Sequence, residues 1–499
     1  MGAGNAGLTR RKVAAGLAVG MLLAVTMAAC GSDDDGTNAA ARSGGLRAEP
    51  TAGQWKPWVV SPEEIAVPAP PAAGSAQVEL DLQEVERLAA ERTSQVREVV
   101  ARWSGPNPAE PWTETAFDFV SKSAKNPPLS SRNYALVHNA IHDAVITAWH
   151  WKYRYNVDPP EGVDTLMPAG ADPSYPSEHA AIAGAASRVL AFLYPAQSAL
   201  RLDEMAERAA RSRVQAGTNT SSDVAAGLEL GRRVADAVIA YAKTDGTDRK
   251  WDGTRPPGVG GGPAFWEPPP GAASPPTEPQ AAHWKPWVLA RNDQFRPPPP
   301  PAYDSPEFRA AAQDVVDVGR NLSSEQQRIA KFWEGAEGSK LPAGIALDVA
   351  MGDIREAASS GPPETRWTVP QVTRALAMVN VAISDGGISA WDGKFTYWNP
   401  RPENAIRDLG LDPNWKPYLP TPRFPAYPSG SAGYAGATEA VMTYLLPEKA
   451  TEFKRRAEEQ AISRVYAGIH WRYDAVSLDG GRQIGNLVVE RAKKDGADG

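Results

Sequence analysis

Cysteine is nearly absent from this sequence: Cys30 is the only one among 499 residues. A single cysteine excludes intrachain disulfide bonds, so a hydrophobic core must stabilise the fold even in an oxidising compartment. Basic residues are not in excess either, since 52 Lys and Arg face 59 Asp and Glu, a net charge of −7. This acidic balance gives no support to a nucleic-acid partner.

Long apolar runs are confined to the N-terminus. Arg10-Arg11-Lys12 precedes an apolar stretch over residues 13–26, and small residues then lead to Cys30. This order is typical of a lipoprotein signal, so we predict a signal peptide over 1–29 and a flexible tether over 30–46. No later stretch reaches about 18 apolar residues, so lipid on Cys30 is the one membrane contact that we expect. The predicted location is extracytoplasmic.

Strand-like alternation is also scarce, whereas apolar residues recur at helical spacing. Leu82, Val85 and Leu88 are one example, and residues 134–149 and 370–391 form further amphipathic patterns. The fold class predicted is all-α. Three histidines at positions 138, 142 and 150 lie on or beside one of these helices, where partly exposed or core-edge positions are favoured over a metal site.

The chain contains an internal repeat. Trp55-Lys-Pro-Trp-Val59 recurs at 284–288, and Ser212-Arg213-Val-Gln-Ala-Gly217 recurs with one change at 463–468. Other matches keep the same order in both halves, so a duplicated unit is indicated. We predict two tandem helical bundles over 47–252 and 283–499, joined by a Pro- and Gly-rich linker over 253–282.

Three stretches of the second half collect groups suited to a tetrahedral oxyanion. They supply three cations, hydroxyl groups, a glycine amide, an imidazole and a carboxylate, contributed by Lys394, Arg401, Ser429, Gly430, Ser431, Arg464, His470 and Asp474. Guanidinium groups match such oxygens bidentately, and a helix opening at Ser429-Gly430 would direct free N–H groups at the anion. The four-residue spacing of His470 and Asp474 predicts that both lie on one helix face.

The spacing of these groups resembles a known signature. K-x6-R-P, then P-S-G, then S-R-x5-H-x3-D is similar to the vanadium-dependent haloperoxidase and type 2 phosphatidic acid phosphatase superfamily, and Ala390-Trp-Asp-Gly-Lys394 is similar to its haloperoxidase branch. The resemblance implies an all-α core of stacked bundles. It also implies vanadate, with phosphate as an analogue, on Lys394, Arg401, Ser429, Gly430 and Arg464, and His470 as the axial ligand to vanadium.

Two departures from the signature bear on activity. Ser431 stands where the superfamily motif P-S-G-H has histidine. The first half keeps Lys152, Ser177 and Arg213 but has Asn219 in the place of His470 and no arginine in the place of Arg401. We therefore expect any site to be in the second half. His179, from the first half, is expected not to reach His470.

Three functions remain open from the sequence. The resemblance implies a haloperoxidase that oxidises halide with hydrogen peroxide at bound vanadate. It also allows an acid phosphatase acting on phosphate esters, with His470 as nucleophile, Asp474 as its orienting partner and Ser431 in the acid–base position. A catalytically impaired anion-binding lipoprotein is the third, because a serine hydroxyl is too weak an acid to replace the histidine.

Overall fold

A computed structural model describes residues 48–123, 126–167, 170–197, 199–268, 275–336 and 338–497. Within these ranges the chain forms α-helices and short 3₁₀-helices and no strand, which confirms the all-α prediction. None of the helices in the described part combines the length and apolarity needed to cross a bilayer. The predicted signal peptide, the tether and Cys30 lie outside the described residues.

The two halves repeat one order of helices. The first half contains α1 (Ala76–Ala90), α2 (Ser94–Trp103), α3 (Glu110–Ser121), α4 (Pro127–Tyr155), α5 (Glu178–Leu193), α6 (Ala199–Ala216) and α7 (Ser221–Ala242). The second half contains α8 (Pro306–Arg320), α9 (Ser324–Phe332), α10 (Leu341–Ser359), α11 (Val369–Tyr397), α12 (Pro402–Asp408), α13 (Gly430–Leu445), α14 (Ala450–Tyr466) and α15 (Ser477–Ala492). The short helix α12 has no counterpart among the described residues of the first half.

The long helices α4 and α11 form the centre of the molecule. Each has 29 residues, carries proline in its first turn and ends at a residue in left-handed conformation, Asn156 or Trp398. The two helices pack against each other, and one hydrophobic core includes residues of both halves, such as Ile141 and Ile383. His138 and His142 are fully buried in α4, so the expectation of partly exposed or core-edge positions is wrong for these two.

A buried aspartate on each long helix holds the tryptophan-rich segment of its own half. Asp143 accepts backbone N–H groups from residues 58–60, at 2.8–3.2 Å. Asp385 accepts those of residues 287–289, at 2.8–3.1 Å. These bonds hold each tryptophan-rich segment against the middle of the long helix of its own half.

Each segment then reaches the end of the other half. The N–H of Lys56 donates to the carbonyl oxygen of Asp495 at 2.7 Å, and that of Lys285 donates to Asp245 at 2.8 Å. The halves therefore exchange their N-terminal segments, which we call the arms (residues 55–60 and 284–289). Because of this exchange the two bundles pack as one body rather than as separate units.

The segment predicted as a linker packs against the second half. The N–H of Trp266 donates to the carbonyl oxygen of Trp398 at 2.6 Å, and the indole N–H of Trp391 donates to that of Thr277 at 3.2 Å. Residues 279–283 form a 3₁₀-helix. The described part of the segment thus covers the C-terminal end of α11, next to Lys394.

Candidate oxyanion site

Lys394 lies in the last turn of α11 with its ammonium group fully buried. Its Nζ donates to the carbonyl oxygens of Pro425 at 2.9 Å and Ala426 at 2.8 Å. The ring of Phe424 lies 5.1 Å from the same nitrogen. Burial, reinforced by the charge of Arg401, lowers the pKa of Lys394 well below its ordinary value.

Arg401 follows the end of α11 and points back toward the lysine. Its Nε donates to the carbonyl oxygen of Phe424 at 2.8 Å, and its Nη1 donates to that of Ile469 at 2.7 Å and to Nε2 of His470 at 3.0 Å. Its Nη2 is buried and has no hydrogen-bond partner. Burial lowers the pKa of Arg401 to about 9. The two hydrogens of Nη2 are therefore available to a ligand.

His470 and Asp474 form a close pair, with Nδ1 and Oδ2 2.5 Å apart. The prediction that they share a helix face is wrong: His470 precedes the 3₁₀-helix Arg472–Val476, and Asp474 lies within it. The tight turn brings the two side chains together instead. Because a guanidinium only donates, Nε2 must accept from Arg401, which leaves the imidazole proton on Nδ1 for Asp474.

The charges in this cluster are unbalanced. Burial lowers the pKa of His470 well below its ordinary value, and the charges of Arg401, Lys394 and Arg464 lower it further. Burial raises the pKa of Asp474 to about 7, although Lys394 and Arg401 oppose that rise. The carboxyl group of Asp474, whose raised pKa disfavours its ionised form, is thus the one acidic group beside these buried cations among the contacts described above. An added anion would correct the imbalance.

The start of α13 closes the other side of the site. Ser429 is its N-cap, with Oγ accepting the N–H of Ala432 at 3.4 Å, and its own N–H donates to the carbonyl oxygen of Asp474 at 2.9 Å. Gly430 and Ser431 form the first turn, and Ser431 is 9% exposed. The helix therefore begins beside Asp474, with its positive dipole end near the cations.

Arg464 is held differently from the other cations. Its Nε donates to Oγ of Ser463 at 3.0 Å, Nη1 to the carbonyl oxygen of Glu334 at 3.2 Å and Nη2 to that of Ala330 at 3.0 Å. Burial lowers its pKa to about 10. These bonds anchor the guanidinium to the end of α9, and one hydrogen on each Nη remains for a ligand.

The donor set fits vanadate or phosphate. It consists of cationic nitrogens, helix N–H groups and one imidazole whose Nε2 carries no proton. The orphaned Nη2 of Arg401 and the excess of buried positive charge both match a multiply charged oxyanion. Lys394, Arg401 and the N-terminus of α13 would hold the oxygens, and His470 would face the central atom.

Residues 424–426 form a wall of the site that was not predicted from the sequence. The ring of Phe424 lies 4.9 Å from the guanidinium carbon of Arg401, and the carbonyl oxygens of this stretch accept from both Arg401 and Lys394. Backbone acceptors leave no mark in a sequence, and a single phenylalanine carries no pattern. The proximity of Phe424 to the P-S-G motif was the one available signal.

Comparison with known proteins agrees with this geometry. A family model of the VCPO second helical-bundle domain matches residues 374–456, which include Lys394, Arg401 and the start of α13. The solved structure of a bacterial vanadium-dependent iodoperoxidase is 25% identical, with a TM-score of 0.60, over 77% of this chain and 95% of that chain. The chain belongs to the vanadium haloperoxidase and type 2 phosphatidic acid phosphatase superfamily.

Both branches of this superfamily appear among the relatives. A non-specific acid phosphatase of Salmonella typhi is 25% identical over 217 residues, which cover 40% of this chain and 73% of the phosphatase. The vanadium chloroperoxidase of Curvularia inaequalis is 26% identical over 173 residues, covering 21% of this chain and 28% of that enzyme. Relatedness therefore establishes the superfamily, and the reaction has to be argued from the site.

Proposed function

We propose that this protein is a vanadium-dependent haloperoxidase that oxidises halide with hydrogen peroxide. The observation that carries the proposal is the buried cationic cluster around a His470 whose Nε2 is unprotonated. The extent of the similarity to the iodoperoxidase structure favours this branch over the phosphatases. When bound, vanadate supplies the Lewis acid that activates peroxide toward halide.

The residues of the site have separable tasks in this proposal. Lys394 and Arg401 neutralise the charge of the oxyanion, and their burial makes each contact stronger than it would be in water. Asp474 holds the imidazole proton on Nδ1, so Nε2 of His470 carries a lone pair, which would bind vanadium in exchange for the hydrogen bond from Arg401. The N–H groups at the start of α13 orient the remaining oxygens.

Ser431 sets the rate that we expect. It occupies the first turn of α13, where the superfamily motif carries an imidazole, and its hydroxyl can hold a water molecule but cannot act as an acid near neutral pH. His179 is held in the first half, where its Nδ1 lies 2.8 Å from Oε1 of Glu178. We therefore propose anion binding with slow turnover.

The decisive experiment is a calorimetric titration of the metal-free protein with vanadate, followed by assays of iodide, bromide and chloride oxidation with peroxide. We expect one vanadate per chain and vanadate-dependent oxidation of at least iodide. Arg401→Ala, which removes the orphaned Nη2, should bind vanadate far more weakly. Binding without any oxidation would favour the non-catalytic anion-binding function, and absence of binding would reject the proposal.

Phosphate ester hydrolysis is the second candidate. The unprotonated Nε2 of His470 and its bond to Asp474 are also the arrangement of a nucleophilic imidazole, and acid phosphatases are among the relatives. The test is hydrolysis of p-nitrophenyl phosphate in vanadate-free buffer, with a search for phosphate attached to His470. Turnover that vanadate inhibits would favour this reaction over halide oxidation.

We also propose that the protein is anchored by lipid on Cys30 outside the cytoplasmic membrane. The support is the apolar run and the small residues that precede this cysteine. Cys30→Ala should leave the protein without acyl chains in mass spectrometry and shift it from the membrane fraction. Retention of the variant in washed membranes would contradict the anchor.

A further inference from the structure

The first half contains the framework of a second oxyanion site. Lys152 lies three residues before the end of α4, as Lys394 does in α11. Ser177 is the N-cap of α5, and its N–H donates to the carbonyl oxygen of Asp223 at 3.0 Å, as that of Ser429 does to Asp474. The backbone and the lysine of the site are thus present twice.

A glutamate occupies the middle of this framework. Glu178 is the first residue of α5, where α13 has Gly430. Its Oε2 lies 3.0 Å from Nζ of Lys152, and its Oε1 lies 2.8 Å from Nδ1 of His179. Burial opposes ionisation of Glu178, but Lys152, His179 and Arg213 outweigh it and lower its pKa well below the ordinary value.

The surroundings of Glu178 correspond to those of a bound oxyanion. Lys152 and Arg213 occupy the places of Lys394 and Arg464, and Arg213 is likewise buried in the last turn of its helix. Oγ of Ser177 is fully buried and has no hydrogen-bond partner. Nε of Arg213 is likewise buried without a partner. Polar groups without partners remain here although the carboxylate is in place, as expected where one carboxylate replaces a larger anion.

We propose that the first half holds a closed oxyanion site, in which the carboxylate of Glu178 takes the place of a phosphate-like ligand. Glu178 then determines that the chain binds one oxyanion and not two. The inference concerns the first half and does not depend on which reaction the second half performs.

The test is Glu178→Gly, which reproduces the residue of the second half. Wild-type protein and variant are titrated calorimetrically with phosphate and with vanadate. The variant should bind one more oxyanion per chain than the wild type. The added site should be roughly tenfold or more weaker than the site at Arg401, because the first half lacks that arginine and a charge-assisted hydrogen bond is lost. Glu178→Gln is the matched control, since it fills the same volume without charge and should add no strong site.

The outcomes separate this inference from the proposed function. No binding by the wild type with one oxyanion on the variant would support the closed site and reject the function. One oxyanion on both proteins would overturn the closed site and leave the function standing. If Glu178→Gly and Glu178→Ala fail to fold in phosphate-free buffer, refolding by phosphate and not by chloride, also when Arg401→Ala disables the second-half site, would support the inference. Absence of such rescue would overturn it.

Discussion

At the start of α13 the chain has Gly430, and at the equivalent start of α5 it has Glu178. The cations that surround Glu178 are compensated from within the chain, whereas Lys394 and Arg401 share one carboxylate with a raised pKa. Two copies of one backbone framework thus differ in where the negative charge comes from. We infer that this framework needs an anion, which the carboxylate of Glu178 supplies in the first half. In the second half the position of Glu178 is taken by Gly430, which leaves room for an external oxyanion.

The largest effect is expected when the imidazole of the second half is replaced by the residue found at the equivalent position of the first half. His470→Asn copies Asn219, whose Nδ2 donates to the carbonyl oxygen of Ser174 at 3.1 Å. We expect peroxidase or phosphatase turnover to fall by about 10²–10⁴-fold, the range for loss of a positioned catalytic group. Steady-state assays measure the loss, with saturating vanadate for halide oxidation and in vanadate-free buffer for ester hydrolysis. Asn219→Ala is the control and should leave turnover unchanged.

The reverse change should increase activity. Ser431→His restores the imidazole of the superfamily motif on the first turn of α13, and we expect turnover to rise by up to about 10²-fold, within the range for general acid–base catalysis. Halide oxidation and ester hydrolysis are assayed side by side. Ser431→Ala should bring no gain. An unchanged rate with Ser431→His, together with absent vanadate binding in the natural protein, would point to a non-catalytic protein.

The aspartates that both halves retain should separate by role. Asp474→Asn removes the acceptor that fixes the His470 tautomer, so vanadate affinity should fall about 10–100-fold. Asp223 caps α7 by accepting the N–H of Thr220 at 2.8 Å, as Asp474 accepts that of Trp471 at 3.2 Å, but it faces the amide of Asn219 and no imidazole. Asp223→Asn should therefore lower the free energy of unfolding by about 1 kcal/mol without altering affinity. Equal loss of affinity in both variants would contradict this division.

A further difference between the halves concerns stability in acid. Burial, with the charges of Arg374 and Arg491, lowers the pKa of His142 to about 3. Below about pH 6.5 the unfolded chain therefore binds a proton at this histidine, whereas the folded chain does not until the pH approaches 3. Stability is therefore lost as pH falls from about 6.5 toward 3. His142→Ser copies Ser384, and the stability lost between pH 7 and pH 5 should shrink by roughly 2 kcal/mol. Urea unfolding at both pH values measures it, and an unchanged difference would refute the assignment.

The helices could largely be predicted from the sequence, whereas the side-chain contacts between them could not. The long helices were placed at 134–149 and 370–391, whereas α4 and α11 extend over 127–155 and 369–397. Both are buried along almost their whole length, and their partly exposed residues lie at the two ends, where the run of apolar residues is interrupted. Helical spacing therefore located the helices and understated their length.

The candidate site shows the same limit. The spacing of His470 and Asp474 predicted their contact, although a 3₁₀ turn provides it in place of an α-helix. Glu178 stood in a recognised repeat, but its ion pair with Lys152 joins residues far apart in the sequence. Side chains that meet through tertiary folding have no local pattern. Pairing of charges across the fold had to come from the structure.

The exchanged arms make each half of the chain dependent on the other. Residues 55–60 bond to the end of the second half, and residues 284–289 bond to the end of the first. A half produced alone would expose its arm and the face of its long helix that packs against the other half. Two such halves could bury these surfaces only by pairing with each other, as in a domain-swapped dimer. Because both halves belong to one polypeptide, their pairing is intramolecular and does not depend on protein concentration. The packing of each half therefore depends on the other half, whichever of the two performs chemistry.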